Sequence, residues 1–239
     1  GAGEKLQPYV ELAEFTINES LESILEGIWK RQPKVIGFSC YIWNWKLIRE
    51  ILTELPKILP DTEIWLGGPE VTYDGPGLLR EFPQVTGIMV GEGEVTFREV
   101  LEQYLREAET AGQSEQQPES DSTEHQVADR RGTVAGKSMV ERFGQIPGLC
   151  LASGYTAPRD LTDLTTLPFL YEDMEPFTNR IIYYETSRGC PYRCSYCLSS
   201  IDKKVRLRDI SVVKRELQFF LDQNVKQVKF IDRKIGRAH

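Results

Sequence analysis

The chain has 239 residues, 40% hydrophobic and 27% charged, an ordinary globular composition that excludes a wholly disordered or fibrous protein. No apolar run approaches the roughly 20 residues a spanning helix needs, no secretory signal is visible, and a net charge of -7 disfavours nonspecific binding to nucleic acid or membrane phosphates. Five cysteines, odd in number and mostly clustered, do not form a secreted disulfide framework and point to a reducing cytoplasm.

In chain order, YVELAEFTI (9–17) has the β-branched and aromatic content of a strand. NESLESILEGIWKR (18–31) begins on helix-starting Asn and Ser and places Leu21, Ile24, Leu25 and Ile28 at helical spacing. KVIGFSC (34–40) suits a buried parallel strand, WKLIREILTELPKIL (45–59) predicts a helix with Pro56 as an irregularity, and TEIWLGG (62–68) predicts a strand ending in two glycines. GLLREFP (77–83) reads as a short helix, TGIMVGEGE (86–94) as a strand and glycine turn, and VTFREVLEQYLREAE (95–109) as a helix. Strands separated by helices of this length imply βαβ units with right-handed crossovers. Residues 1–108 are therefore expected to form an α/β domain with a doubly wound, Rossmann-like sheet.

Residues 109–145 open with a stretch rich in Gln, Ser, Glu and Gly that buries too little apolar surface to offset its ordering entropy, so a flexible linker is expected. His125 falls inside it and is assigned no role. Residues 146–180 read as a hairpin around Ser153-Gly154 and a Pro-punctuated connector. From 181 to 239 a second βαβ unit opens. RIIYYETS (180–187) predicts a strand, SVVKRELQFFLDQN (211–224) a helix with Val212, Val213, Leu217, Phe220 and Leu221 on one side, and VKQVKFID (225–232) the next strand.

Between the first strand and the helix of that unit, Cys190, Cys194 and Cys197 lie within eight positions, in ETSRGCPYRCSYCLSS (185–200). The loop follows a strand end, the edge where parallel α/β architectures build their sites. Structural zinc sites are four-coordinate and normally use two separated pairs, whereas this triplet has neither a second pair nor a neighbouring His. A disulfide between two of the three strands the third, and three bystander thiols leave the clustering unexplained. An iron–sulfur cluster held by three thiolates fits best, because a four-iron cube with three protein ligands keeps one iron open. Cys40 and Cys150 read instead as buried structural cysteines.

The CxxxCx(aromatic)C pattern, Cys190-Pro-Tyr-Arg-Cys194-Ser-Tyr196-Cys197, resembles the signature of radical S-adenosylmethionine (radical SAM) enzymes. The resemblance implies a 4Fe-4S cluster whose open iron chelates S-adenosylmethionine, whose one-electron cleavage to methionine and a 5′-deoxyadenosyl radical starts the reaction. It also implies an electron donor such as a flavodoxin or ferredoxin. Tyr196 stands at the aromatic position that packs near adenine in that family, and equally suits a core aromatic. Gly189 next to Arg188 allows backbone to come close to the cluster. Asp232, at the end of the second strand, stands where the resemblance implies a contact to the amino group of S-adenosylmethionine. Its other reading is an exposed carboxylate capping a turn.

GFSCYIWN (37–44), LGGPE (66–70) and VGEGE (90–94), each at a strand end, resemble the cobalamin-binding domain that precedes the radical domain in one subset of these enzymes. The resemblance implies that Ser39, Gly67, Gly68, Gly91, Glu92 and Gly93 line the cleft for the corrin and its nucleotide tail, the glycines giving a large flat cofactor access to backbone amides. Two features depart from the pattern: no D-x-H-x-x-G motif is present, and Tyr41 stands where leucine is usual. The sequence also reads as truncated at both ends, with the first strand of the domain missing, most of the radical SAM barrel absent, and the last residues, Ile235 to His239, non-native.

The expected function is that of a cobalamin-dependent radical SAM enzyme, with methyl transfer as the best-motivated reaction and the substrate unidentified. The fragment alone is expected to be inactive. The alternatives are an iron–sulfur electron-transfer protein with a ligand-binding α/β domain, and a radical SAM enzyme whose N-terminal domain no longer binds cobalamin.

Overall fold

The computed structural model of the protein describes residues 5–114, 137–192, 195, 197 and 204–232, and the chain divides into two compact units, Ala2–Asp160 and Leu161–His239. In the first, the parallel strands β1 (Val35–Ser39), β2 (Glu63–Gly67) and β3 (Val85–Met89) are joined by the antiparallel hairpin β4 (Leu149–Leu151) and β5 (Gly154–Tyr155), in sheet order β1-β2-β3-β4-β5. Because side chains alternate along a strand, Ile64 and Leu66 of β2 face one way and Trp65 the other. Against the Ile64 and Leu66 face pack Ile24 of α1 (Leu21–Arg31), Ile51 and Leu55 of α2 (Trp45–Ile58) and Leu79 of α3 (Gly75–Glu81). Trp65 packs with Val100 of α4 (Gly93–Ser114) and Phe143 of α5 (Met139–Phe143). The sheet thus has helices on both faces, the doubly wound arrangement expected.

Local chemistry accounts for the helix limits. The Ser20 side chain accepts from the Ser23 N–H and starts α1, Asp74 does the same for the Gly77 N–H with Pro76 in the first turn of α3, and Ser138 with Glu141 forms a reciprocal capping box for α5. α2 continues through Pro56, whose ring nitrogen cannot donate to the Leu52 carbonyl. The Gln84 side-chain amide donates to that carbonyl instead, at 2.7 Å.

The segment 9–17 is not a strand. It follows a 3-10 turn at Gln7–Tyr9 and leaves Leu12 86% exposed, because it runs along α1 rather than a sheet edge. Phe15 packs where Gly27 has no side chain, and Glu11 pairs with Arg31 at 2.6 Å. In the region expected to be linker, α4 extends to Ser114 and α5 forms at 139–143, while residues 115–136, His125 among them, lie outside the described residues. The hairpin of the 146–180 segment belongs to the first unit, since Leu149 and Cys150 of β4 pair with Met89 and Ile88 of β3.

A buried ionic network holds the returning chain. The Arg142 side chain, fully buried, reaches Glu63 at 3.0 Å and Glu107 at 2.8 Å, and its guanidinium lies over the Phe143 and Tyr104 rings. Trp65 donates its indole N–H to the Tyr104 hydroxyl, which donates to Glu63. Burial, then Glu63, pushes the Tyr104 hydroxyl pKa upward, which keeps it a donor.

In the second unit, β6 (Ile182–Tyr184) pairs in parallel with β9 (Val228–Phe230) across α6 (Ile210–Asp222), and β7 (Ser187–Arg188) pairs antiparallel with β8 (Arg206–Leu207). Ile182, Tyr184, Val213 and Phe220 form its core, covered by Phe169, Tyr171, Met174 and Phe177. On α6, Leu221 is 69% exposed and Glu216 is buried. Glu216 has ionic partners that repay its burial, accepting from Arg208 at 2.7 Å and from the Tyr184 hydroxyl.

Candidate cofactor sites

In the first unit the register aligns the ends of the three parallel strands, with Ser39 opposite Gly67 and Gly67 opposite Met89. The loops that follow leave from one sheet edge. In the first, Asn44 shapes the backbone: its amide donates to the Ser39 carbonyl at 2.9 Å and accepts the Tyr41 N–H at 2.8 Å. Tyr41 and Trp43 stack at 4.5 Å between ring centroids. Ile42, Trp43 and, in the second loop, Tyr73 are exposed, so this edge carries large apolar side chains that the described chain leaves open.

The glycines of this edge divide into two kinds. Gly68 has φ +105°, and a Cβ there would lie 2.5 Å from the Cys40 carbonyl oxygen, so glycine is required by the neighbouring chain. Gly67 has ordinary space, its nearest contact being the Met89 Cβ at 3.7 Å. Gly91 has φ +83°, and a Cβ added at Gly91 or Gly93 would meet nothing within 4 Å. These two face open space, with Glu92 half-buried between them at the start of α4. Beneath the edge, burial pushes the Cys40 thiol up to about 12, which keeps it protonated at neutral pH. Burial also raises Cys150.

In the second unit the cysteine loop leaves β7, immediately after β6. Gly189 turns the chain at φ +89°, and Arg188 pairs with Glu185 at 2.9 Å. Cys190 and Cys197 are unbridged and half-buried. Cys194 and Tyr196 lie outside the described residues, so the described residues contain no group of three or more metal-binding side chains. Asp232, two residues past β9, accepts the Thr186 N–H at 2.8 Å and the Ser187 N–H at 2.5 Å on Oδ1, and the Thr186 hydroxyl at 2.6 Å on Oδ2. Both of its oxygens are thus engaged at the start of the cysteine loop, by residues 45 and 46 positions away rather than by a local turn.

Residues 4–101 match the B12 binding domain family. That match lies within the first unit. The chain is also 27% identical over 229 residues to the 2-(S-pantetheinyl)-carbapenam-3-carboxylate methyltransferase of Streptantibioticus cattleyicolor. It is 26% identical over 224 residues to the cobalamin-dependent radical SAM methyltransferase TokK of Streptomyces tokunonensis. These matches take in 91% and 86% of this chain but 30% and 28% of the two relatives, so the chain spans less than a third of their length. In fold it is similar to the radical S-adenosylmethionine methyltransferase TsrM of Kitasatospora setae, with a TM-score of 0.56 at 17% identity over 90% of this chain and 40% of that one.

The first unit has a carboxyl edge that suits a large, flat, partly apolar group: bare backbone at Gly91 and Gly93 after β3, and exposed Ile42, Trp43 and Tyr73 on the loops after β1 and β2. Sequence reasoning named the glycines but missed Asn44 and the apolar rim. The signal for Asn44 was its place just before a helix, where a side-chain amide commonly satisfies loop backbone. Among the described residues no helix is long and apolar enough to cross a membrane.

Proposed function

We propose that this chain is part of a cobalamin-dependent radical SAM methyltransferase that binds cobalamin on the carboxyl edge of β1–β3 and a 4Fe-4S cluster on Cys190, Cys194 and Cys197. The observation that carries the reading is the occurrence, in one chain, of a match to the B12 binding domain family and a CxxxCxxC triplet in the sequence that follows β6 and β7. A relative whose name carries both cobalamin and radical SAM chemistry supports it. When bound, the cluster supplies an open iron and an electron for S-adenosylmethionine, and cobalamin supplies a methyl carrier. The chain's own residues hold and shape these sites. The three cysteines furnish thiolates, Gly189 turns the backbone toward them, and Gly91 and Gly93 leave room at the start of α4 for the corrin.

Cobalamin binding is measured by anaerobic titration of the chain with hydroxocobalamin, followed by gel filtration and visible absorbance. The parent should retain close to one equivalent. Gly93→Trp, which fills open space at a position without left-handed backbone, should weaken binding by roughly tenfold or more. Gly68→Ala should instead lower thermal stability, because its Cβ meets the Cys40 carbonyl. A parent chain that retains no corrinoid contradicts the cobalamin half of the proposal. The radical half is tested by supplying the protein at the full length of its relatives with S-adenosylmethionine and a strong reductant and measuring 5′-deoxyadenosine, whose absence contradicts it.

A further inference from the structure

We propose that Asp232 is a positioning residue that sets the entry of the cysteine loop, and that it does so by hydrogen bonding rather than by offering its charge to a ligand. In the β6–β9 ladder Ile182 stands opposite Val228 and Tyr184 opposite Phe230. The last backbone rung described is Ile231 N–H to the Tyr184 carbonyl at 3.0 Å. Two residues further along the same register, the Asp232 side chain replaces the missing rung. One oxygen accepts the Thr186 and Ser187 N–H groups and the other the Thr186 hydroxyl. Charge-assisted bonds of this kind are about twice as strong as neutral ones, and three converge on one carboxylate. The Thr186 carbonyl in turn accepts the Arg208 N–H at 2.8 Å, so Thr186 is fixed on both sides. Cys190 follows four residues later, through the left-handed Gly189. The backbone that delivers the first thiol is therefore tied to the end of β9 by a single side chain.

The iron part of the test rests on the cluster reading above. The backbone part does not. Parent, Asp232→Ala and Asp232→Asn chains are compared by hydrogen exchange of the peptide covering residues 182–192 and by iron content after anaerobic reconstitution. Asparagine keeps an acceptor for the two N–H groups and an amide that can donate to the Thr186 hydroxyl, but carries no charge. The alanine variant should exchange this peptide roughly tenfold faster, as expected for losing charge-assisted bonds, and lose most of its iron. The asparagine variant should keep protection and iron within about twofold of the parent, since its lost charge weakens the bonds without removing them. If exchange in the alanine variant is unchanged, the positioning role is overturned. It is also overturned if both variants keep protection and iron while S-adenosylmethionine affinity falls in both, the result expected of a direct charge contact. If the parent takes up no iron, the cluster reading fails, and the exchange comparison still decides the role of Asp232. Should the alanine variant not fold, Thr186→Val provides the second measurement: loss of the hydroxyl bond should raise exchange in the same peptide, and no change there overturns the proposal.

Discussion

Pro56 and Gln84 show how a single side chain lets a helix tolerate a break in its own hydrogen bonding. Proline at this point removes the N–H that the buried Leu52 carbonyl needs, and Gln84 supplies a substitute from the segment just before β3. Removing the substitute leaves a buried acceptor unpaired, which costs about 1–3 kcal/mol. Gln84→Ala should therefore lower unfolding free energy in urea by that amount in the parent. It should cost much less in a Pro56→Ala background, where the backbone N–H returns. Strict additivity in this double-mutant cycle would show that the Gln84 bond does not stand in for the lost one. The same scale explains what was hidden at the candidate sites. Gly68 and Gly91 look alike in sequence, as glycines after strand ends, but only the packed backbone shows that one abuts Cys40 and the other faces open space. Asp232 was legible as a strand-end carboxylate. Its partners, Thr186 and Ser187, lie 46 and 45 positions away, a distance no local pattern spans.

At the scale of elements, the sheet was the most legible part of the molecule. KVIGFSC, TEIWLGG and TGIMV became β1, β2 and β3 because short apolar runs between amphipathic helices have few other places to go. The 9–17 segment had the same β-branched and aromatic content. It failed as a strand because Phe15 found a better seat over Gly27 on α1, and no local pattern encodes that competition. α5 was hidden for another reason: five residues carry little periodicity, and what holds them is Arg142 reaching Glu63 and Glu107. Arg142→Met should cost about 3–5 kcal/mol, because it leaves two partly buried carboxylates facing each other without their cation. Adding Glu63→Gln and Glu107→Gln should recover much of that loss. The network also sets an acid dependence. Burial alone would raise the Glu107 pKa, but hydrogen bonds from Arg142 and Gln103 and the Arg142 charge hold it below its ordinary 4.5. A carboxyl depressed in the folded state contributes stability that is present above its unfolded value and lost as pH falls through the folded one. Urea unfolding between about pH 5 and about pH 3 should show this loss in the parent and a smaller loss in Arg142→Met. Identical slopes would remove Glu107 from the account.

For the whole molecule, one unit matches the B12 binding domain family and the other is a βαβ unit whose sequence carries three clustered cysteines between its first strand and its helix. Both features stood out in the sequence as pattern, glycines following strands and thiols at fixed spacing, because in each the residues lie close together in the chain. The division of the chain at Asp160 was less legible, since the hairpin at 149–155 joins the first unit only through its pairing with β3. The central claim is that the three clustered cysteines, and not the two buried ones, bind iron in a chain that also binds cobalamin. Iron and sulfide content after anaerobic reconstitution, measured for the parent and for each Cys→Ala variant, tests it most directly. The parent should hold about four iron atoms per chain. Alanine at Cys190, Cys194 or Cys197 should abolish most of the iron and the broad visible absorbance, and alanine at Cys40 or Cys150 should leave both in place. Full iron retention in any one of the three triplet variants would contradict the account.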